Sequence, residues 1–316
     1  MKKLIKTFNS INNKSLIKQY FRLDIAWYTL IQLLIQGLDK KSLEIVRLSV
    51  NNKVLKRLRK KYKRFINNYT QTEIPKNEHT NCNKIWSNWF QGIDNAPKTI
   101  KVCYDSLKKH LPGKEIIVIT DENYKEYVTF PKHIEEKYKK GIIGKVHMSD
   151  LLRLELLTQY GGTWIDSTVY CSSDNIPEYM LNSELFLFQN LKPGLDGQAT
   201  TISSWFITAS SNNKILLLTR ALLHEYWKHN NKAIDYFIIH DMFQLAIETY
   251  PEEWKKVIPF SNSTPHILLL RLYEQFNEYD YKQIIDMTPF HKLTHRIDEN
   301  KAKIKNTYYK KIFNDK

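Results

Sequence analysis

One local pattern constrains the fold more than any other: a long helix that stops at two glycines and leads directly into a strand. The helix is predicted over residues 144–162, GKVHMSDLLRLELLTQYGG, where Gly161-Gly162 takes the C-cap position that ends it. The strand that follows is predicted over 163–171, TWIDSTVYC. Other short apolar runs alternate with helical patterns in the same way, namely KIWSNWF at 84–90, EIIVIT at 115–120, ELFLFQN at 184–190 and SSWFITA at 203–209. This alternation predicts an α/β fold in which helices cover the faces of a sheet.

Asp166 stands out because it interrupts the apolar strand that follows the long helix. A buried carboxylate costs several kcal/mol unless a cation or a ligand pairs with it. In open α/β sheets, ligands bind beyond the carboxyl ends of strands, and both Asp166 and the DEN sequence at 121–123 are expected near such ends. Asp166 is therefore predicted either to face solvent at a strand edge or to face a bound cation or ligand.

The positive charge of the chain is concentrated in its first part. Residues 1–70 contain 17 lysines and arginines against three acidic residues, a net charge of +14, whereas the whole chain carries +15. The densest part is 53–65, KVLKRLRKKYKRF. On a helix, its apolar residues fall on one side and its cations on the others; the apolar residues are Val54, Leu55, Leu58 and Tyr62. A basic amphipathic helix is typical of a membrane-surface element, with a nucleic-acid contact or a purely solvated face as the alternatives.

Several function classes are disfavoured by missing patterns. Glycine is scarce, with nine residues in all, and neither a GxGxxG fingerprint nor a GxxxxGK[ST] P-loop occurs. The three cysteines are widely spaced, which argues against a disulfide framework or a structural zinc site and favours a reducing compartment. The most apolar stretch, 25–38, is shorter than the roughly 20 residues that span a bilayer, so no transmembrane helix is predicted.

A polar stretch at 67–83 divides a basic helical extension, 1–75, from a second domain, 76–316.

A set of motifs in the second domain has a familiar order. KIWSNWFQG, EIIVITDEN, HMSDLLRLELLTQYGGTWIDSTV, DYFIIH and PFHKL follow one another along the chain. Together they resemble the capsular polysaccharide synthesis glycosyltransferases, close to glycosyltransferase family 32 with its DXD motif, and SDLLRLELLTQYGGTWID is the most specific part. The resemblance covers residues 80–295. It implies a GT-A fold, in which a Rossmann-like mixed sheet flanked by helices binds a nucleotide sugar, usually together with a divalent metal ion.

On this resemblance, one face of the predicted helix points at the sugar donor. Ser149, Asp150 and Arg153 share that face through i,i+3 and i,i+4 spacing. Asp150 would accept hydrogen bonds from sugar hydroxyls, and Arg153 would bind sugar or phosphate oxygens. The alternative for these two residues is an ordinary surface ion pair. Asp150, Arg153 and Asp166 are the predicted catalytic residues.

Further contacts are expected around this face. The rings of Trp86, Trp89 and Phe90 either stack on the nucleobase or pack in the core. The other residues predicted to contact the nucleotide sugar are Asp121, Asn123, Ser167 and Lys292. The acceptor side is expected at Asp235, Tyr236 and His240, which could equally be a helix start and a core histidine. The loop SNSTPH at 261–266 resembles a segment that closes over the donor.

The predicted metal site departs from the family pattern. Asp166-Ser167-Thr168 stands where the family has DXD, so that a neutral hydroxyl replaces the second carboxylate. A hydroxyl is a weaker ligand for Mn²⁺ or Mg²⁺ than a carboxylate, and binding would need help from elsewhere or be weak or absent. The resemblance implies Asp166, Thr168 and His291 as ligands, with Lys292 contacting the diphosphate.

The function implied is transfer of a hexose from a nucleotide sugar, UDP-linked by default, to a hydroxyl of a capsular or other cell-surface polysaccharide intermediate. Retention of anomeric configuration is expected, and it would fit a front-face mechanism because no residue is marked as a nucleophile. The expected partners are the nucleotide sugar, a glycan or lipid-linked glycan acceptor and, through residues 1–70, an anionic membrane surface at the cytoplasmic face of the cell membrane. No nucleic acid is expected. The alternatives are a catalytically decayed glycan-assembly subunit and a nucleic-acid-binding protein.

Overall fold

A helical hairpin opens the described part of the chain. The computed structural model describes residues 21, 25–72, 82–191 and 200–313, so the predicted domain boundary at 75/76 lies outside the described residues. Helix α1 (Ala26–Gln36) packs against α2 (Lys40–Tyr69). Asp39 caps α2, because its carboxylate accepts hydrogen bonds from the backbone N–H groups of Lys41 and Ser42 at 2.9 and 3.1 Å.

Helix α2 is integrated with the rest of the molecule along one side. The residues predicted on its apolar side are buried, namely Val54, Leu55, Leu58 and Tyr62. Two further valines on the same side, Val50 and Val46, are buried one and two turns earlier. They belong to the same core cluster as Trp86 and Trp164 of the central sheet. The basic residues of α2 therefore cover only its outer side, and the helix contributes to the main core.

The described residues form seven strands in two sheets. They are β1 (Lys84–Asn88), β2 (Glu115–Ile119), β3 (Gly162–Ile165), β4 (Val169–Cys171), β5 (Leu185–Gln189), β6 (Ile202–Ala209) and β7 (Phe290–Lys292). The main sheet has the order β2-β1-β3-β6-β5, in which β1 runs parallel to β2 and β3, whereas β6 is antiparallel to both β3 and β5. Strands β4 and β7 pair as a small antiparallel sheet. The predicted α/β class, a mixed sheet flanked by helices, is confirmed.

The helices that follow α2 lie between and after these strands. They are α3 (Lys98–His110), α4 (Tyr124–Tyr127), α5 (Lys132–Lys139), α6 (Lys145–Tyr160), α7 (Glu178–Asn182), α8 (Lys214–His229), α9 (Ile238–Thr249), α10 (Pro251–Trp254), α11 (Ile267–Leu270), α12 (Glu278–Met287) and α13 (Tyr308–Phe313). Short 3₁₀ turns also occur at Ile93–Asn95, Thr264–His266 and Lys301–Lys303. Helix α6 is the predicted long helix. It packs against α8 and β6, and α9 packs against the same two elements.

The prediction of a single strand over 163–171 is wrong, because this segment forms two separate strands. β3 ends at Ile165, and the backbone N–H of Val169 donates to the carbonyl of Asp166 at 3.0 Å, which closes a turn. After this turn β4 leaves the main sheet and pairs with β7. Asp166, Ser167 and Thr168 therefore lie in the turn between two sheets rather than inside a strand.

The two glycines that end α6 are required by its exit into the sheet. Both have positive φ angles, +69° at Gly161 and +93° at Gly162, a region that disfavours residues with a side chain. A Cβ at Gly162 would also lie 2.5 Å from the carbonyl oxygen of Lys84. The chain can therefore pass from α6 into β3, close beside β1, only with glycine at this point.

Candidate active site

The polar residues singled out in the sequence converge on a cleft beyond the carboxyl ends of β1 and β3. The cleft has a volume of about 740 Å³. Its walls are the residues after β1, the outer face of α6, the turn after β3, strand β6, the start of α9 and the first part of α2. A cleft at this position is where open α/β sheets bind their ligands.

Asp166 is held at the floor of this cleft by four contacts. Its backbone N–H donates to the carbonyl of Trp205 in β6 at 2.9 Å, which fixes the main chain. One carboxylate oxygen, Oδ1, accepts a hydrogen bond from Trp164 Nε1 at 2.9 Å and lies 3.5 Å from Arg153 Nη2. The other, Oδ2, pairs with Lys292 Nζ at 2.7 Å. The side chain remains 26% exposed, so Asp166 faces the cleft while it pairs with two cations.

These cations set the protonation state of Asp166. Burial raises the pKa of the carboxyl group, but the charges of Lys292 and Arg153 outweigh that effect, and hydrogen bonds from Lys292 and Trp164 add to it. The net pKa lies below the ordinary value for aspartate. Asp166 is therefore ionised at neutral pH.

Arg153 connects the carboxylates of α6 and the turn after β3. Its guanidinium lies over the Trp164 ring, 5.0 Å from the centroid, and donates from Nη1 to the carbonyl of Ser204 at 2.5 Å. Nη2 lies 3.4 Å from Asp150 Oδ1 and 3.5 Å from Asp166 Oδ1. Because only 7% of its side chain is exposed, this is a buried network and not the surface ion pair that the sequence left as the alternative.

Asp150 and Ser149 complete the α6 face of the cleft. Asp150 is buried, and its second oxygen lies 3.6 Å from His147 Nδ1. Ser149 contacts Arg153 through its carbonyl oxygen at 3.4 Å. Ser167, in the turn after β3, also lines the cleft. The residues predicted as catalytic thus lie together in one network, while their roles toward a substrate stay predictions.

The predicted metal ligands do not form one donor set. Lys292 Nζ donates to Thr168 Oγ1 at 2.6 Å as well as pairing with Asp166, so an ammonium group lies between two of the three. His291, the third, is completely buried, and its Nε2 lies 2.9 Å from Ser172 Oγ. Successive residues of a strand point to opposite sides, which is why Lys292 reaches the cleft and His291 does not. Within the described residues, no group of three or more His, Cys, Asp or Glu side chains could hold a metal ion.

The three predicted aromatic contacts divide between core and cleft. Trp86 lies in the core, fully buried, with its Nε1 donating to the carbonyl of Gly161 at 2.9 Å. Trp89 and Phe90 line the cleft, and the buried Nε1 of Trp89 has no hydrogen-bond partner among the described residues. A buried donor without a partner is unfavourable in a folded protein, so the indole of Trp89 is suited to meet a ligand oxygen.

Asp121 and Asn123 have structural partners and do not line the cleft. Asn123 closes the turn after β2, since its side chain accepts from the backbone N–H of Thr120 at 2.8 Å and donates to the carbonyl of Val118 at 3.0 Å. Asp121 pairs with Lys145 at 3.1 Å. Lys145 does line the cleft, so its pair with Asp121 helps to hold this cation at the rim of the cleft.

On the predicted acceptor side, Tyr236 and His240 line the cleft and Asp235 does not. Burial lowers the pKa of His240 to about 4, so its imidazole is neutral at neutral pH. Asp241, which the sequence analysis did not single out, also lines the cleft, and its buried Oδ2 is unpartnered within the described ranges. Burial raises the pKa of Asp241 well above the ordinary value, and the charge of Asp235 adds to this.

The predicted loop 261–266 contributes two residues to the rim of the cleft, Asn262 and His266. Asn262 is held from both sides, because its Oδ1 accepts from Trp205 Nε1 at 2.8 Å and its Nδ2 donates to Asn190 Oδ1 at 3.1 Å. His266 Nδ1 lies 2.7 Å from the carbonyl of Asn262. The loop is therefore fixed to β6 beside the cleft.

Several cleft residues were missed because they are distant in sequence from the motifs. Helix α2 contributes Arg47, Leu48 and Asn51 to the wall near Tyr236. The Asn51 amide nitrogen, in the orientation that satisfies its neighbours, lies 2.8 Å from Asp235 Oδ2. No local pattern marks these residues, since α2 is recognisable in sequence only by its charge and its apolar side.

Comparison with known families places this arrangement in context. The family model described as "Capsular polysaccharide synthesis protein" matches residues 35–312. The chain belongs to this family. The match begins inside the α1–α2 hairpin and thus includes all of α2, beyond the stretch over which the motifs resembled the family. The predicted relationship to capsular polysaccharide synthesis proteins is confirmed, while the relationship to glycosyltransferase family 32 and the role of the DXD-like motif stay predictions.

Comparison with solved structures found a weaker likeness. One similar structure is the "PaToxG Glycosyltransferase", which is 16% identical; the alignment covers 85% of this chain and 97% of that chain, with a TM-score of 0.36. Comparison with curated protein sequences found no match.

Proposed function

We propose that this member of the capsular polysaccharide synthesis family is a glycosyltransferase. It moves a hexose from a nucleotide sugar, UDP-linked by default, to a hydroxyl of a capsular or other cell-surface polysaccharide intermediate, with retention of configuration. The observation that carries the proposal is the buried network of Asp150, Arg153 and the ionised Asp166 at the base of a cleft beyond the carboxyl end of β3. Such a pre-arranged set of charges suits a polar, hydroxyl-rich and anionic ligand.

Each group at the base of the cleft has a role in this proposal. Asp150 and Asp166 accept hydrogen bonds from hydroxyls of the donor, because both are carboxylates that face polar space beside Arg153. Arg153 binds sugar or phosphate oxygens while it also pairs with the carboxylates of Asp150 and Asp166. Trp89, whose Nε1 has no hydrogen-bond partner in the part of the chain that the structure describes, contacts the nucleoside end of the donor together with Phe90.

The acceptor side lies at the start of α9 and the adjacent wall of α2. Tyr236 is 60% exposed at this edge, while His240 and Asp241 lie deeper. Burial raises the pKa of Asp241 well above the ordinary value and so favours the neutral carboxyl group, which can donate a hydrogen bond to an acceptor hydroxyl oxygen. His240, whose pKa is about 4, is a weak base, and burial favours the neutral form of Asp241, so a front-face transfer, in which a leaving phosphate oxygen takes the acceptor proton, is our proposal for retention.

The proposal is tested with a panel of nucleotide sugars, by thermal shift and by release of the sugar. At least one donor should raise the melting temperature of the native chain, and Asp166→Ala and Asp150→Ala should abolish that rise. Asp286→Ala is the matched control, because Asp286 is an exposed aspartate on α12 outside the cleft. If no donor stabilises the native chain with or without Mn²⁺, the chain is a decayed assembly subunit and the proposal is wrong.

We further propose that the α1–α2 hairpin lies on an anionic membrane surface, where a lipid-linked acceptor is presented. Helix α1 exposes a large apolar face: Trp27 is 60% exposed and Leu34 and Ile35 are each 70% exposed. These residues, with the exposed Ile31, follow the i, i+4, i+7, i+8 spacing of one helical face. The outer side of α2 next to it is basic, and each lysine or arginine near an anionic leaflet contributes about 1 kcal/mol. No helix in the described ranges is long and apolar enough to cross a membrane.

Co-sedimentation with phosphatidylglycerol-containing vesicles tests the membrane proposal. Leu34→Glu should weaken binding at least about tenfold more than Gln36→Glu, because both add one negative charge at an exposed position but only the first removes apolar surface. Equal effects of the two substitutions would contradict insertion of this face. Dimers in the absence of vesicles, lost in Leu34→Glu, would identify the face as a contact between two copies instead. Steep, salt-dependent binding to DNA or RNA instead of vesicles would favour the nucleic-acid alternative.

A further inference from the structure

Lys292 lies between two of the three side chains predicted as metal ligands, Asp166 and Thr168. Its Nζ lies 2.7 Å from Asp166 Oδ2 and 2.6 Å from Thr168 Oγ1. A Mg²⁺, Mn²⁺ or Ca²⁺ ion shared by the same two oxygens would lie about 2.0–2.6 Å from each, so it would overlap the ammonium group. The two cations would also repel each other strongly at that separation.

The backbone keeps the lysine in this position. Val169 and Lys292 are register partners in the β4–β7 pair, and the backbone N–H of Leu293 donates to the carbonyl of Thr168 at 2.9 Å. The strand that carries the ammonium group is therefore bonded directly to the turn that carries the carboxylate. Only 18% of the Lys292 side chain is exposed, so it cannot easily move aside to admit another ion.

The rest of the donor set also favours a fixed cation over a metal ion. The second oxygen of Asp166 is already engaged by Trp164 Nε1 and faces Arg153. Asp150, the next carboxylate of the cleft, pairs with the same guanidinium. A hard divalent cation prefers six or more oxygen ligands, and both carboxylates of this network, Asp166 and Asp150, are already paired with a cation of the protein.

We propose that Lys292 takes the place of the divalent cation and binds the diphosphate of the donor, so that sugar transfer does not need a bound metal. This inference rests on the proposed glycosyltransferase function. Lysine binds phosphate as a point charge, and an ammonium at the base of a partly dry cleft stabilises the charge that develops on a leaving phosphate oxygen. Arg153 and Lys145 add positive charge to the same cleft.

The bond changes in this step balance without a metal. The bond between the anomeric carbon and the β-phosphate oxygen breaks, and its electron pair stays on that oxygen. The acceptor hydroxyl oxygen bonds to the anomeric carbon from the same face, and its proton passes to a leaving phosphate oxygen. Lys292 keeps its protons throughout and only donates hydrogen bonds, while Asp166 and Thr168 position it.

The test compares binding of a nucleoside diphosphate and of the matching nucleoside, each in EDTA and in excess Mn²⁺, by calorimetry. The native chain should bind the diphosphate with the same Kd in both. Lys292→Ala should weaken diphosphate binding about tenfold or more, as expected for loss of one charge-assisted hydrogen bond, and leave nucleoside binding unchanged. Lys282→Ala, at an exposed lysine of α12, is the control and should behave as the native chain.

Two further variants separate binding from folding. Lys292→Arg retains a cation and should retain most diphosphate affinity and the native melting temperature. In Lys292→Ala combined with Thr168→Asp, a second carboxylate replaces the hydroxyl and the ammonium is gone, so diphosphate binding should recover only when Mn²⁺ is added. Recovery that depends on the metal would show that the lysine and the ion occupy the same position.

The outcomes distinguish this inference from the proposed function. If the native chain binds and cleaves a nucleotide sugar only with Mn²⁺, the function stands and the role of Lys292 is wrong. The role is also wrong if Lys292→Ala folds normally and binds the diphosphate as tightly as the native chain. If no nucleoside diphosphate or nucleotide sugar binds in either condition, both the inference and the proposed function fail.

Discussion

Replacing Gly162 with alanine should both destabilise the protein and disturb the cleft around Asp166, because this residue starts the strand that leads to Asp166. Its φ angle is +93°, which costs a residue with a side chain about 1–2 kcal/mol. The new Cβ would lie 2.5 Å from the carbonyl oxygen of Lys84 and 3.2 Å from Cys82 Sγ. The first of these is a backbone atom beside the β1–β3 pair, so relief requires the two strands to separate.

Overpacking of a well-packed interior typically costs a further 1–3 kcal/mol, which gives a total of about 2–5 kcal/mol for Gly162→Ala. For a chain of this size, each 1 kcal/mol lowers the melting temperature by about 2–4 °C, so the variant should melt roughly 4–20 °C below the native protein. Gly113→Ala is the control, because Gly113 has no positive φ angle and a Cβ there would meet nothing within 4 Å.

The assay is thermal and urea unfolding of the three proteins, followed by donor binding. Gly113→Ala should lie within about 0.5 kcal/mol of the native protein. Gly162→Ala should also bind the donor more weakly at temperatures where it is folded, since β3 carries the turn with Asp166. If Gly162→Ala unfolds at the same temperature as Gly113→Ala, the close approach of β3 and β1 at this point is not a real constraint, and the reasoning is refuted.

Three further expectations follow from the buried and exposed charges. Arg153→Lys should weaken donor binding about tenfold or more, because an ammonium cannot reproduce the planar contacts of the guanidinium; unchanged binding in the same calorimetric assay would contradict this. Burial lowers the pKa of both His240 and His291 to about 4, whereas an unfolded histidine titrates near 6.5, so the unfolded state binds more protons between these values. Stability should therefore be full above pH 6.5 and fall as the pH drops toward 4; urea midpoints that do not change between pH 7 and pH 5 would contradict this. Arg59→Ala should cost no more than about 1 kcal/mol, because its pair with Glu248 at 2.7 Å is exposed, and a drop of the melting temperature beyond about 4 °C would show that the pair matters more.

The elements that could be predicted from sequence are those set by local spacing. Helix α6 and its end at Gly161 were predicted because apolar periodicity and a glycine stop both lie within one short stretch. Strand β2 was predicted from a β-branched run in the same way. Ser149, Asp150 and Arg153 were placed on one face by helical spacing alone, and the structure brings them to the cleft together.

The break between β3 and β4 shows where local patterns fail. The apolar residues on both sides of Asp166 continue the pattern of one strand, but β4 pairs with β7, more than a hundred residues later in the chain. That pairing depends on the whole fold and is not encoded in the neighbouring residues. The break bears on function, because the turn exposes three consecutive residues to the cleft, Asp166, Ser167 and Thr168. An unbroken strand would point adjacent residues to opposite sides.

The placement of His291 and Lys292 depends on strand register in a related way. Both were singled out from PFHKL, but a strand points adjacent residues to opposite sides, and a shift of one residue in register exchanges them. The pairing of Tyr170 with His291 and of Val169 with Lys292 turns the lysine toward Asp166 and the histidine toward Ser172. A metal ligand and a fixed cation therefore differ by one position of register, which no local sequence feature determines.

Helix α2 connects the proposed active-site cleft with the proposed membrane-binding hairpin. Its positive charge alone did not predict this. A run of cations suggested a surface element, yet the opposite side of the helix enters the main core, and its first turns supply Arg47, Leu48 and Asn51 to the cleft. The exposed apolar face of α1 belongs to the same hairpin. If that face lies in the bilayer interface, the acceptor wall of the cleft is tied by a rigid helix to the membrane surface. A hydroxyl on a lipid-borne glycan would then approach Tyr236 and His240 from the hairpin side, while the donor enters past Trp89. Binding of vesicles and binding of the acceptor should consequently be lost together in Leu34→Glu, whereas donor binding should remain.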